Sequence, residues 1–488
     1  MKPTFGFCLL LALPLYYPNV WGQDDVRQTA SVAVLEKVQP AVAVVYAFDK
    51  DGRRLGTGSG SVIDPRGYVL TAKHVVADRH IVLLGGRPPL TASIVGKMPE
   101  FDVAILRLGR PAFSRPGSPK YPREGLQPDF VTLGVDEEVR MGETVFNIGA
   151  PGGRGIVASH GIVSAVAFTG VNPLSIALQS STAFDEMIQF DAASNPGNSG
   201  GPLINLLGQQ IGMVVSGIHT EEGIHFAIPT KTIRHCIPQV LCSELQRRYR
   251  SGIAIDPQLA TVKITKVDSD SPAAKAGIRV GDQILSVDGR PLRDPIDWAF
   301  SQAEWKPEQT LLFEILRGQE LVEAKIKLVE RTRLKSVVAP DVQPGLACRY
   351  TSYDPRVPSP LDQVKRPEGK VIVMDTVEAR PETFELEDHY VLWVEGLLKI
   401  EASGRYRFGL NSDDGSKLYL HDQILIDNDG NHAEILRTAW ADLEKGLHPI
   451  RVEFYEDEGN QSLKLLMAKD DDELAAVEAN VLFHVREE

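Results

Sequence analysis

The sequence predicts a mainly β, multidomain protein. Three observations lead there. At 488 residues the chain is too long for one hydrophobic core, and about three domains are expected. Its apolar residues fall in short runs with strand texture, such as Gly67-Tyr68-Val69-Leu70 and Gly404-Arg405-Tyr406-Arg407-Phe408-Gly409-Leu410. Forty-two glycines and 32 prolines punctuate those runs as turns. The net charge of −13, with no basic stripe, excludes a nucleic-acid partner.

The N-terminus, Met1-Lys2 followed by an apolar stretch from Phe5 to Tyr16, reads as a secretory signal over 1–22. Val20-Trp21-Gly22 is the cleavage site, which gives a secreted or periplasmic protein; left uncleaved, the segment would anchor it to a membrane. Three cysteines follow. Cys236 and Cys242 lie in a helical segment and are close enough in sequence to pair, although spacing alone does not settle the geometry. Cys348 is then an odd thiol.

The first module spans 23–245, and its centre is Asn195-Pro196-Gly197-Asn198-Ser199-Gly200-Gly201-Pro202-Leu203. Glycines let backbone N–H groups converge on one point. A serine nucleophile needs such a loop, because N–H donors must meet the oxyanion that its attack creates. It also needs a histidine to accept its proton and a buried aspartate to orient the imidazole. Thr71-Ala72-Lys73-His74-Val75-Val76 ends a strand in a small-residue turn that presents His74. Phe101-Asp102-Val103-Ala104-Ile105-Leu106 opens an apolar strand with a lone carboxylate, which is costly without a partner. Gly197-x-Ser199-x-Gly201 also fits the nucleophile elbow of α/β-hydrolases, but no alternating helical periods surround it.

These segments, with Gly58-Ser59-Gly60-Ser61-Val62-Ile63, Asn147-Ile148-Gly149-Ala150-Pro151-Gly152 and Gln189-Phe190-Asp191-Ala192-Ala193, resemble the HtrA (Deg) serine proteases over Val32–Val329. The resemblance implies a chymotrypsin-like double β-barrel followed by a PDZ domain. It implies Ser199 as nucleophile, His74 as general base and then acid, and Asp102 as its orienting carboxylate. Backbone N–H groups of Gly197 and Ser199, helped by Asn198, form the oxyanion hole. Ala192, Ala193 and Ser194 line the primary pocket, with Met213, Val214 and Val215 on the far wall. None is acidic, so cleavage is expected after small or medium apolar residues of unfolded proteins, and no cofactor is required. A homo-oligomer, a trimer or multiple of it, follows by resemblance. The alternative is a binding or chaperone protein whose protease domain is locked.

The middle module, 250–331, is similar to PDZ domains. Ser251-Gly252-Ile253-Ala254-Ile255 resembles their carboxylate-binding loop, and Gly281-Asp282-Gln283-Ile284-Leu285-Ser286-Val287-Asp288-Gly289 their strand and tight turn. Ser271 to Ile278 reads as a short helix with an early proline and a glycine stop, and Arg293 to Ala303 as a second. Gly252, Ile253 and Ala254 are the expected contacts to a peptide C-terminus, which adds as a strand.

A patternless stretch, 332–344, links to a strand-rich end, 345–488. Asn411-Ser412-Asp413-Asp414-Gly415-Ser416-Lys417-Leu418-Tyr419-Leu420 and Ile424-Leu425-Ile426-Asp427-Asn428-Asp429-Gly430 resemble the protective-antigen-type β-sandwich. The resemblance implies carbohydrate binding and a Ca²⁺ site at Asp413 and Asp414, with Asn428 and Asp429 adding oxygens if their loop folds alongside. The competing reading is a structural Asp-Asp-Gly turn whose carboxylates accept backbone N–H bonds.

Overall fold

The computed structural model describes residues 28–112, 128–135, 139–166, 187–215, 223–354, 356, 361, 366–368, 371–379, 388–457, 459, 461–470 and 472–486. The expected signal segment lies outside them.

Helix α1 (Ala30–Val38), capped by the Thr29 side chain at Val32 N–H, leads into the first barrel. Its strands are β1 (Val42–Phe48), β2 (Arg54–Asp64), β3 (Tyr68–Ala72), β4 (Arg79–Leu84), β5 (Leu90–Met98) and β6 (Val103–Pro111), closed in the order β1-β2-β3-β6-β5-β4. Closure removes every sheet edge, and the inward apolar residues, among them Val45, Val62, Leu70 and Ile105, fill the interior. The second sheet contains β7 (Thr132–Leu133), β8 (Thr144–Gly149), β9 (Val157–Ala165), β10 (Ile188–Phe190), β11 (Pro202–Asn205), β12 (Gln209–Val215) and β13 (His225–Pro229). The added β11–β12 pairing closes six of these strands into a second barrel, and β7 joins β12 in parallel.

Helices α2 (Thr230–Leu241) and α3 (Ser243–Gln246) leave the second barrel. Cys242 ends α2 in the left-handed region at φ 43°. Cys236, Cys242 and Cys348 are all buried and none is in a disulfide, so the expected Cys236–Cys242 bridge is absent.

The middle module holds β14 (Tyr249–Arg250), β15 (Ile253–Ile255), β16 (Ile264–Val267), helix α4 (Pro272–Lys275), β17 (Gln283–Val287), β18 (Arg290–Pro291), helix α5 (Pro295–Gln302), β19 (Thr310–Arg317), β20 (Glu320–Lys327) and β21 (Val329–Glu330). Both helices start as their sequences require. Ser271 caps α4 at Ala274 N–H and Asp294 caps α5 at Ile296 and Asp297 N–H, each with proline at the first turn. Trp298, Trp305 and Phe313 meet edge to face in its core.

The C-terminal module is a two-sheet sandwich. One sheet contains β22 (Val342–Pro344), β23 (Leu346–Ser352), β24 (Ile372–Met374), β25 (Tyr390–Ile400), β27 (Ser416–Leu420), β28 (Gln423–Asn428), β30 (Gly446–Glu456) and β33 (Leu482–Val485). The other contains β26 (Gly404–Asp413), β29 (Ile435–Leu443), β31 (Ser462–Lys469) and β32 (Ala475–Ala476). Leu392, Phe408, Leu410 and Phe454 lie between them. The expected β-sandwich is therefore present.

Candidate active site

The three expected catalytic residues lie where the serine loop of the second barrel meets β2 and β3 of the first. His74 sits in the 3₁₀ turn Lys73–Val75 that ends β3. Asp102 follows the 3₁₀ turn Pro99–Phe101 and precedes β6, in the left-handed region at φ 48°. That conformation turns the buried carboxylate back onto the neighbouring strand end. Oδ1 accepts the His74 backbone N–H at 2.9 Å, and Oδ2 lies 2.7 Å from the ring Nδ1. The main chains are tied as well, since Lys73 N–H donates to Asp102 O at 2.8 Å. Asp102 thus fixes both the place of His74 and which ring nitrogen carries the proton, leaving Nε2 for a nucleophile.

Ser199 enters from the second barrel. Its carbonyl accepts Ser59 N–H at 2.8 Å, and a side chain at Gly58 would be squeezed between Val75 and the Ser199 carbonyl. Gly200, at φ +84°, lies so close to β2 and β3 that a Cβ would stand 2.4 Å from both Ser59 O and Thr71 Oγ1. Only glycine allows the serine loop to press against the strand that carries His74. Among the described residues no hydrogen bond joins Ser199 Oγ to His74; such contacts often tighten only once substrate is bound.

Two carbonyls of the loop before the serine are engaged with neighbouring N–H groups. Pro196 O accepts Gly152 N–H at 3.1 Å, which holds that carbonyl toward the turn Pro151–Gly153. In a trans peptide the N–H points opposite the carbonyl, so Gly197 N–H is directed away from that turn. Asn198 O is likewise spent on Gly201 N–H at 2.9 Å, which leaves Ser199 N–H aimed the other way. Asn198 departs from expectation. Its N–H goes to Asn195 O at 3.0 Å and its side chain is buried against Gly149, so that N–H is already spent.

The pocket residues divide. Ala192 and Val214 share one apolar cluster beside β10 and β12. Met213 and Val215 point to the opposite face of β12, into the main core, because strand side chains alternate. Ala193 contributes its carbonyl, held by Asn147 Nδ2 at 2.9 Å and Ser159 Oγ at 2.6 Å. Ser194 is half-buried on the same loop.

In the middle module, Gly252 (φ +79°) and Ile253 follow Ser251, and β15 pairs only with β16, so its second edge is unpaired among the described residues. The loop is partly engaged already. Glu244 of α3 accepts Ser251 N–H at 2.9 Å and Ser251 Oγ–H at 2.5 Å, while Ser251 Oγ accepts Ile253 N–H at 3.3 Å. Sequence reasoning passed over Glu244, which lies outside the loop motif.

The Asp414 carboxylate of the Asp413-Asp414 turn is engaged with the backbone. Both Asp414 oxygens accept backbone N–H groups, from His432 at 3.1 Å and Asp457 at 2.9 Å. Asn428 donates to Ser412 Oγ and Ile435 O, and Asp429 pairs with Lys417 at 2.8 Å. Among the described residues no group of three or more His, Cys, Asp or Glu is arranged to hold a metal ion, and Ca²⁺ needs six to eight oxygens. Buried Glu456 stands beside both aspartates; burial, then Asp414 and Asp413, push its carboxyl up to about 8.

Comparison with known proteins agrees with this division. Residues 58–213 match a trypsin-like peptidase domain, 263–303 a PDZ domain and 343–475 a PA14 domain. The probable periplasmic serine endoprotease DegP-like of Brucella suis is 33% identical over 294 residues, covering 57% of this chain and 53% of that protein. The serine endoprotease DegS of Escherichia coli K12 is 29% identical over 364 residues, covering 67% and 94%. The chain thus spans about half the length of the DegP-like relatives. Among solved structures, the HtrA-type protease AlgW with tripeptide is 28% identical, over 63% of this chain and 99% of that one, with a TM-score of 0.36. Stretches of the chain thus match a trypsin-like peptidase domain, a PDZ domain and a PA14 (protective-antigen-type) domain, and the relatives it resembles are named DegP-like and DegS serine endoproteases.

Proposed function

We propose that this chain is an HtrA-type serine endopeptidase that cleaves unfolded proteins in the periplasm. The observation that carries the proposal is the His74 Nδ1–Asp102 Oδ2 contact of 2.7 Å beside the serine loop of Ser199. Ser199 Oγ attacks the scissile carbonyl as its proton passes to His74 Nε2. Asp102 stabilises the imidazolium, which then protonates the leaving amine. Gly197 and Ser199 N–H groups stabilise the oxyanion. Water repeats the sequence and frees the acyl group.

Ala192 and Val214 bring no charge to the pocket, which supports cleavage after small or medium apolar residues. One methylene is worth only ~1–3 kcal/mol of discrimination, so the preference is broad, as suits a reader of unfolded chains. The middle module captures peptide C-termini along β15, and through them regulates cleavage. Carbohydrate is the proposed ligand of the C-terminal module; retention of the full chain on insoluble polysaccharide tests that part alone. A homo-oligomer, a trimer or a multiple of it, is part of the same proposal.

The test is turnover of denatured casein by wild type and Ser199→Ala, with cleavage sites mapped by mass spectrometry. Cleavage by wild type alone, after residues such as Val or Ala, supports the proposal. No turnover by either, even with a C-terminal peptide present, favours a protease domain retained for binding.

A further inference from the structure

The C-terminal sandwich is docked on the first barrel at the two turns that carry His74 and Asp102. Arg407, in the middle of β26, is 0% exposed. Its Nη2 stands 3.2 Å from Glu100 Oε2 and donates to Asp472 O at 3.0 Å, and Nη1 donates to Lys97 O at 3.5 Å. Trp440 flanks the guanidinium at 5.5 Å. Glu100 is itself 8% exposed and lies within the turn Pro99–Phe101, two residues before Asp102. That turn is closed by Asp102 N–H donating to Pro99 O at 3.0 Å, which makes Glu100 and Asp102 parts of one rigid unit.

A second contact falls on the other turn. Glu473, on the segment after β31, pairs with Lys73 Nζ at 2.5 Å, and Lys73 immediately precedes His74. A third, Thr438 Oγ1 to Gln239 Oε1 at 2.8 Å, ties β29 to α2. The seam therefore holds one charged grip on each half of the His74–Asp102 pair.

Buried ion pairs are poor stabilisers, because desolvation offsets their attraction; their better-attested value is in fixing geometry. We propose that the C-terminal sandwich positions the His74–Asp102 pair. Arg407 holds Glu100, which sets the turn that aims the Asp102 carboxylate, and Glu473 steadies Lys73 beside His74. Arg407 and Glu473 are positioning residues, each more than 300 positions downstream of the residue it grips. The inference rests on the endopeptidase reading for its kinetic consequence and on geometry alone for its structural one.

The test uses the full chain as wild type, Arg407→Met, Arg407→Lys and Glu100→Gln, each at a temperature where near-UV circular dichroism shows it folded. Two quantities are read. One is kcat and KM on denatured casein. The other is the low-field proton resonance of the His74 Nδ1–H bonded to Asp102, which needs no turnover. A displacement of the pair by an ångström is worth about 10²-fold in rate. Arg407→Met is expected to lower kcat by about that factor with KM little changed, and to shift or broaden the resonance; Arg407→Lys restores part of both. Should Arg407→Met fail to fold, Glu100→Gln, which keeps the side-chain volume, carries the same expectation. A resonance identical to wild type in the folded variants overturns the proposal, whatever the turnover. A responsive resonance in a protein that cleaves nothing leaves the brace standing and removes the endopeptidase reading instead.

Discussion

Asp102 shows how a single backbone angle serves a site. At φ 48° it spends both carboxylate oxygens on His74, one on the main chain and one on the ring. Asp102→Asn keeps the shape but presents the wrong hydrogen-bonding pattern to Nδ1, and kcat is expected to fall ~10⁴-fold while the fold survives. Steady-state kinetics beside a melting curve checks both halves of that statement. Glu456 gives a second prediction. Its folded carboxyl titrates near 8, above the ordinary 4.5, because it is buried beside Asp414 and Asp413. Between those values the folded state keeps a proton that the unfolded chain has lost. The Glu456 contribution to stability is therefore full below pH about 4.5 and is lost as pH rises through about 8. Glu456→Gln, neutral throughout, should flatten that part of the stability-versus-pH curve measured by denaturant unfolding. At this scale the sequence was informative where chemistry demands a residue type. His74, Asp102 and Ser199 stand out because few other reasons put those residues in those runs. The fate of Asn198 N–H was not legible, since it depends on a turn closed by Asn195 O.

At the scale of elements, period and caps carried the strands and helices. The two helices of the middle module appear where Ser271-Pro272 and Asp294-Pro295 place them, somewhat shorter than the helical texture suggested. Strand alternation also explains the divided pocket. Met213 and Val215 face the core for the same reason that Val214 faces Ala192. At the Asp413-Asp414 turn the sequence leaves a metal site and a structural turn both open, and the N–H groups that claim Asp414 come from His432 and Asp457, 18 and 43 residues away. Glu244 was invisible for a related reason: its contact with Ser251 depends on how α3 folds against the loop. Because its carboxylate takes an N–H and a hydroxyl of that loop, Glu244→Gln is expected to tighten binding of apolar peptide C-termini several-fold, about the worth of one charge-assisted hydrogen bond. Calorimetric titration of both proteins with one peptide decides it; equal affinities would show that the loop is not limited by Glu244.

At the scale of the whole molecule, composition predicted separate modules but not how they dock. The PDZ helix α5 packs on the first barrel, with Phe300 stacked on Tyr68 at 4.2 Å. Around that contact Arg66 pairs with Asp64 at 2.7 Å and with Asp297, and Arg293 reaches Asp64 at 2.8 Å. Ile296, Ala299 and Ala303 join the same core as the barrel interior. Phe300→Ala removes a fully buried ring and is expected to cost about 3–5 kcal/mol, read from denaturant unfolding of the full chain. Such a seam couples the PDZ module to the turn between β2 and β3, while the sandwich holds the turns of His74 and Asp102. None of the contacts between modules follows from sequence spacing, because each joins residues more than 190 positions apart.

The central claim is that Ser199 is a nucleophile activated by His74. The most direct measurement is intact-mass spectrometry after treatment of the folded chain with a fluorophosphonate, followed by peptide mapping. In that reaction Ser199 Oγ bonds to phosphorus as fluoride leaves and its proton passes to His74. The expected result is one adduct on Ser199 in wild type, with none in Ser199→Ala and a strongly slowed reaction in His74→Ala. An unlabelled wild type, or a label on another residue that Ser199→Ala does not abolish, would contradict it.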